Sequence, residues 1–239
     1  MSSKPYKVLI IIPACNEELN ICNVINNLRR KAPEADYIIV NDCSSDRTGE
    51  ICRNNGYNYL DLPVNLGIGG GVQAGYRYAL ENGYDIAIQH DGDGQHDPAY
   101  IKDLISPIIN GKADIVIGSR FVTGEGYQSS GPRRLGINFL SGLIKLCCGV
   151  SIKDVTSGYR GVNRRFIHIY AAEYAHDYPE PEAIISAAMY GARILEMPVV
   201  MHERKGGASS ISAWKSIYYI IKVSLAILTY RPALARRYL

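Results

Sequence analysis

The chain has 239 residues, of which 47% are apolar and 21% charged, a balance that excludes a disordered chain and suits a globular α/β protein. A formal net charge of +3 gives no electrostatic case for a nucleic-acid partner. Much of the positive charge gathers at Arg133–Arg134, Arg164–Arg165, Arg204–Lys205 and the tail residues Arg231, Arg236 and Arg237.

Residues 8–12 form a continuous apolar run, as expected of a buried parallel strand. Pro13 stops that run after only five residues, so no signal peptide is expected and the catalytic face is placed in the cytoplasm. Six cysteines without a CxxC spacing read as reduced thiols. Asn16, Glu17 and Glu18 are expected to open a helix through Ile21, Val24, Ile25 and Leu28. A second strand is expected over 37–40, and Ser45 or Asp46 is expected to cap a helix over 48–54. A short strand over 57–62, a helix over 69–82 and a strand over 85–89 follow. Pro98 starts a helix that runs to 110, and residues 115–118 make a fifth strand. From 123 to 132 the chain is rich in glycine and serine, which predicts a mobile loop. The alternation predicts a mostly parallel sheet with helices on both faces. Ligands bind beyond the carboxyl ends of the strands in such sheets.

One of those ends reads "QHDGDGQHDP" (89–98), with Asp91 and Asp93 one residue apart. Like charges that close repel unless a cation or shared proton relieves them. Two carboxylates, a nearby amide oxygen at Gln95 and flexible glycines suit a hard divalent ion that also meets phosphate. An EF-hand fails at Gln95, His96 and Lys102, where other residue types are required. A plain strand-to-helix turn, or a site built on His90 and His96, are the competing readings. Residues 69–74 also satisfy a dinucleotide fingerprint with Asp91 twenty residues on. That motif follows the third strand rather than the first, so phosphate near the glycines is retained and nicotinamide is not.

Seven stretches occur in order: "IIPACNEELNI" (11–21), "VNDCSSDRTGE" (40–50), "NLGIGGGVQAG" (65–75), "QHDGDGQHDP", "IGSRF" (117–121), "DVTSGYRG" (154–161) and "ERKGGASS" (203–210). Together they resemble the inverting family 2 glycosyltransferases of GT-A fold, and among these the polyprenyl-phosphate sugar synthases. The resemblance covers about 8–210 and implies Mg2+ or Mn2+ on Asp91, Asp93 and Gln95. It implies a nucleotide-sugar donor contacted by Pro13, Asn16, Glu17, Asp42, Asp46, Asn65, Gly67 and Gly69. Arg204 and Ser209 would close over the diphosphate. Arg120, Arg133 and Arg134 would bind phosphate across the acceptor groove, with Asp154, Ser157 and Arg160 facing donor sugar and acceptor. The pattern departs at Ile68 and Ser210, where many relatives carry Lys.

The resemblance implies transfer of a sugar, from a UDP-sugar such as UDP-GlcNAc or UDP-glucose in the favoured reading, to a polyprenyl phosphate. A phosphomonoester, with a second pKa of about 6, needs cations rather than a base. A saccharide hydroxyl acceptor would need Glu180 or Glu182 as that base, although either glutamate also suits a helix start. A sugar-nucleotide pyrophosphorylase and a non-catalytic nucleotide-sugar-binding subunit are the other classes. The division expected is a catalytic domain over 1–210 and an amphipathic helix over 211–239. Residues 217–230 are apolar except for Lys222 and too short to span a bilayer, so the tail is expected to lie on anionic lipid or to join an oligomer or a membrane-protein partner. Residues 135–150 carry a similar stripe. The enzyme is thus expected at the inner face of the cell membrane.

Overall fold

Every residue of β1 (Val8–Ala14) is buried, because apolar layers cover both faces of the sheet it centres. Its alternation sends Leu9 and Ile11 into one layer and Val8, Ile10 and Ile12 into the other. The computed structural model describes residues 6–128, 131–203 and 220–228. The other strands are β2 (Asp36–Asn41), β3 (Tyr59–Asp61), β4 (Ile86–Gln89), β5 (Ile115–Ser119), β6 (Arg160–Asn163) and β7 (Ile194–Pro198). They form one sheet in the order β3-β2-β1-β4-β6-β5-β7, with β6 antiparallel to both neighbours and every other pairing parallel.

The layer under Val8, Ile10 and Ile12 holds α1 (Ile21–Lys31), α2 (Thr48–Asn54) and α4 (Ile101–Ile109). The opposite layer holds α3 (Gly67–Glu81), α5 (Gly131–Cys148), α6 (Arg164–Ala172), α7 (Pro179–Met189) and the helical segment 220–228. Gly75 lets α3 lie directly on β1, since a Cβ there would stand 2.2 Å from Ile11 Cγ2. Gly75, just after the glycine run, thus serves helix packing. Gly69 N–H donates to His176 O at 3.1 Å and Gly67 N–H to Asn65 Oδ1 at 3.1 Å, so both are engaged inside the chain.

Three expected boundaries shift. α1 begins at Ile21, not at Asn16, because Asn16 takes a left-handed φ of 59° and the residues between form turns. The helix expected from Pro98 opens as a 3-10 turn over Pro98–Tyr100, capped by Asp97, before α4 begins. The loop expected to reach 132 ends sooner, as α5 starts at Gly131. The division expected at 210/211 lies outside the described residues. Val223 and Ile227, at 0% and 1% exposure, nevertheless pack segment 220–228 into the same core as α5 and α7. No helix among the described residues is long and apolar enough to cross a membrane.

From β1 the sheet runs one way through β2 and β3 and the other way to β4. That reversal opens a crevice beyond the carboxyl ends of β1 and β4, where open α/β sheets bind ligands.

Candidate active site

One wall of the crevice is made by the turns after β1 and β2, which interlock. Asn16 Oδ1 accepts from Ser45 N at 2.8 Å and Asp46 N at 3.2 Å, while Asn16 N donates to Ser44 Oγ at 3.0 Å. Glu17, 7% exposed, donates its N–H to Thr48 Oγ1 at 2.8 Å and accepts from Asn20 Nδ2 at 2.7 Å. The N-cap of α2 is Arg47 rather than Ser45 or Asp46, but Asp46 just before it accepts from Thr48 N at 2.9 Å and Thr48 Oγ1 at 2.6 Å, and from Glu18 N at 3.0 Å. Burial pushes the Asp46 carboxyl up, but these hydrogen bonds outweigh it and hold the group below the ordinary carboxylate range. Asp42 Oδ1 accepts from Leu66 N at 2.7 Å, and Asn65 Nδ2 donates to Asp42 O at 3.0 Å. Asp42, Asn65 and the start of α3 are therefore one unit. Pro13 closes the corner, its carbonyl accepting from Gly92 N at 3.2 Å.

Asp91 and Asp93 follow the end of β4. Gln89 Nε2 donates to Asp91 Oδ1 at 3.1 Å, and Gly158 lies beneath the carboxylate, where a Cβ would stand 3.0 Å from Oδ2. Burial raises the Asp91 pKa, while Gln89, His90, Arg160 and Arg120 pull it down. Asp93 Oδ1 accepts from Gln95 N at 3.0 Å. Gln95 is braced from the far side, its Nε2 donating to His202 O at 3.2 Å and its O accepting from His202 N at 2.9 Å. Behind the pair, His96 stacks on Tyr159 at 4.5 Å and 10° and accepts Asp91 N–H on Nδ1 at 3.0 Å. Burial drives His96 down to about 4 and His90 to about 3, so both are neutral at pH 7. A neutral imidazole can ligate a metal, but His90 and His96 are buried, His96 Nδ1 is taken by the Asp91 N–H, and among the described residues no third His, Cys, Asp or Glu side chain completes a site with them.

The donor chemistry of the acidic loop fits a hard cation. It offers two carboxylates and an amide oxygen, and among the described residues no group of three His, Cys, Asp or Glu side chains closes around a metal. A cation held this way keeps positions for phosphate oxygens and water, which suits Mg2+ or Mn2+.

The expected phosphate arginines divide. Arg120, 7% exposed, sends Nε and Nη2 to the two oxygens of Asp154, each at 2.7 Å, and Nη2 also reaches Thr156 Oγ1 at 3.0 Å. Asp154, fully buried, is fixed in turn by its N–H donating to Glu196 Oε1 at 2.7 Å. Arg133 and Arg134 open α5, where Arg134 lies over the Phe121 ring at 3.3 Å and its Nη1 has no partner among the described residues. Arg160 is 1% exposed and donates to the carbonyls of Ser157 and Glu180, behind the crevice rather than in it. Ser157 Oγ donates to Gly118 O at 2.5 Å. Glu180 has a raised pKa, chiefly from burial, and lies within electrostatic reach of Arg160, Asp91 and Arg120. Glu182 instead borders a cleft of about 260 Å3 with Gln73, Tyr174, His176 and Ser186, whose lining includes neither Asp91 nor Asp93. Arg204 and Ser209 lie outside the described residues. Three supporting residues escaped the sequence: Thr48, Glu196 and Gly158. The first and last stand inside quoted motifs, but their partners are distant in sequence.

An oxygen-only acidic pair beside a sheet reversal is a donor set that would suit a hard divalent ion and the phosphates such an ion meets. The glycosyl transferase family 2 model matches residues 9–169, and the chain belongs to that family. Undecaprenyl-phosphate mannosyltransferase of Micrococcus luteus is 32% identical over 215 residues, covering 86% of this chain and 88% of that protein. UDP-N-acetylglucosamine–dolichyl-phosphate N-acetylglucosaminyltransferase of Methanococcus voltae is also 32% identical, covering 80% of this chain and 84% of that one. Glucosyl-3-phosphoglycerate synthase of Mycobacterium tuberculosis, solved with Mn2+, UDP and product, superposes with a TM-score of 0.70 at 18% identity, over 95% of this chain and 80% of that one. The fold is the GT-A fold.

Proposed function

We propose that this chain moves a hexosyl group from a nucleoside-diphosphate sugar to a polyprenyl phosphate, with inversion at the anomeric carbon. The observation that carries the reading is the position of Asp91 and Asp93 at the sheet reversal, where the turn after β4 (Gly92 N to Pro13 O, 3.2 Å) and the turn after β2 (Asp42 N to Ala14 O, 2.9 Å) both bond to the end of β1. There a donor's base and ribose meet the β2 end, and its pyrophosphate meets the acidic pair. When bound on Asp91, Asp93 and Gln95, Mg2+ or Mn2+ supplies charge stabilisation for the departing diphosphate. Pro13, Asn16, Glu17 and Asp46 shape the nucleotide wall through their mutual hydrogen bonds, and Arg204 and Ser209 are assigned to the diphosphate.

The acceptor phosphate is largely dianionic near neutral pH and attacks without a base. Arg133 and Arg134 are the cations assigned to it, since the Arg120 fork is occupied by Asp154. Next to them an apolar surface is laid out for the polyprenyl chain. Leu135, Phe139 and Leu146 on α5 are 72%, 55% and 81% exposed, and Ile221, Leu225 and Leu228 are 56–58% exposed on segment 220–228. The two helices touch at Gly136 and Ile220, so the stripes are neighbours. Such a surface suits peripheral attachment to the inner membrane face. The named relatives transfer mannose and N-acetylglucosamine to lipid phosphates, which supports a hexose donor. A UDP-linked sugar is the donor proposed.

The test mixes purified protein, Mn2+ and labelled UDP- or GDP-sugars with undecaprenyl phosphate in vesicles. Organic-extractable label is expected, and its absence with every donor sinks the lipid acceptor. Label in a water-soluble saccharide, lost in Glu180→Gln, would instead move the reading to a hydroxyl acceptor. Formation of nucleotide sugar from sugar phosphate and NTP would identify a pyrophosphorylase, and binding without turnover a non-catalytic subunit.

A further inference from the structure

Arg160 is the bulkiest of the fully buried side chains; its guanidinium donates to backbone carbonyls, and the Glu180 and Asp91 carboxylates lie within electrostatic reach of it. Burying a cation carries an effective penalty of several kcal/mol, offset only where hydrogen bonds and nearby anions are well placed. Its Nη2 donates to Ser157 O at 2.5 Å and its Nη1 to Glu180 O at 3.2 Å, while Nε has no partner. Three tyrosines, Tyr76, Tyr170 and Tyr174, pack against one another with ring centroids 5.1–5.5 Å apart and lie within electrostatic reach of the guanidinium. They confine the side chain to one place.

The two carbonyls that Arg160 grips belong to segments that meet at the acidic pair. Ser157 precedes Gly158, the residue directly under the Asp91 carboxylate. Glu180 stands in the first turn of α7. The strand pairing sets Arg160 opposite Gln89, whose side chain steers Asp91 Oδ1. Asp91 therefore rests on one neighbour of the Arg160 clamp and is oriented by another.

We propose that Arg160 is a positioning residue, gripping Ser157 O and Glu180 O so that Gly158 and Gln89 hold Asp91 in place, without itself touching substrate. The inference rests on the assignment of Asp91 to the metal. A planar fork spans two carbonyls from different segments, whereas a lysine ammonium is a point donor on a flexible stem.

The test compares Arg160→Lys, Gly158→Ala and the double variant with wild type. Mn2+ binding is titrated by electron paramagnetic resonance in the presence of UDP and, separately, GDP, alongside melting temperature, kcat and donor KM. Arg160→Lys is expected to weaken Mn2+ binding by about tenfold, the scale of lost outer support at metal sites, and to lower kcat at saturating metal and donor. Gly158→Ala forces its Cβ against Asp91 and Gln89 and is expected to weaken Mn2+ binding by a similar factor. Because both act on one seat, the double variant should be no worse than the weaker single within about twofold. A role in folding alone would lower the melting temperature and leave Mn2+ affinity of the folded protein unchanged. A folded Arg160→Lys with wild-type Mn2+ affinity, or fully multiplicative losses in the double variant, overturns the proposal. Where Arg160→Lys does not fold, Gly158→Ala still decides, since unchanged Mn2+ binding in it removes the seat. Failure of wild type to bind Mn2+ with either nucleotide would instead count against the proposed function.

Discussion

Along the end of β2, side-chain oxygens meet backbone donors: Asn16 takes Ser45 and Asp46, Asp42 takes Leu66, and Asp46 takes Glu18 and Thr48. Around and behind the acidic pair the pattern reverses. Gln89 Oε1, both ring nitrogens of His90, Arg160 Nε and, across the groove, Arg134 Nη1 are buried without partners among the described residues. Satisfied networks rigidify, whereas orphaned polar groups raise the energy of the site that holds them. The turns proposed as the nucleotide wall are thus internally satisfied, whereas the layer behind the acidic pair, proposed to carry the reaction, keeps unpartnered buried polar atoms. Substitutions should accordingly cost stability on the first wall and turnover on the second.

The sharpest break of that comparison is Asp93→Ala. Loss of one charge-stabilising group is expected to lower kcat by about 10²–10³-fold and to weaken Mn2+-dependent donor binding, with the melting temperature unchanged. Steady-state kinetics and a melting curve check it, and unchanged kinetics would reduce the acidic pair to a turn. Arg120→Met comes next, and crosses the line between the walls. It removes one partner of a buried ion pair, so a loss of about 3–5 kcal/mol in urea unfolding is expected, with Asp154→Leu in the same chain restoring much of it. A variant that kept its stability and lost only acceptor affinity would return Arg120 to phosphate binding.

On the first wall, Asp46→Ala removes the acceptor of three hydrogen bonds and is expected to cost about 1–3 kcal/mol. Since the folded pKa lies below the unfolded one, this stabilisation is complete above the unfolded carboxylate value of about 4 and fades as pH falls through the folded value. The stability gap between wild type and variant should therefore close in acid. A gap independent of pH would mean that the Thr48 and Glu18 bonds do not favour the ionised form.

The division of the walls was only partly legible in the sequence. Apolar runs disclosed β1, β2 and β4, because strands buried on both faces need apolar residues throughout. β6 escaped, being four residues, Arg160–Asn163, that open on a buried cation and contain a glycine. β7 escaped as well, since "ILEMP" is half-exposed and spends Glu196 on the backbone of Lys153 and Asp154. Asp91, Asp93, Asp42 and Asn65 share one crevice because each stands at or near a strand's carboxyl end, which a chain-order reading captures. The pairing of Arg120 with Asp154 did not show itself, because it joins residues 34 apart and both looked like ligand contacts. Asn16 likewise read as a helix start when its left-handed backbone and its bonds to Ser45 and Asp46 make it a tie between turns.

The smallest effect separates two rings of one cluster. Tyr170 Oη donates to Ala183 O at 2.9 Å, whereas Tyr76 Oη, equally buried, has no partner among the described residues. Removing the first hydroxyl leaves a buried carbonyl unpaired, so Tyr170→Phe should cost about 1–3 kcal/mol. Removing the second relieves an unpaired donor at almost no change in shape, so Tyr76→Phe should leave stability within about 1 kcal/mol of wild type or raise it. Chemical denaturation of both variants measures the difference directly. Equal losses would mean that Tyr76 Oη bonds to an ordered water on the Arg160 side, and would take that hydroxyl out of the set of unpartnered buried groups.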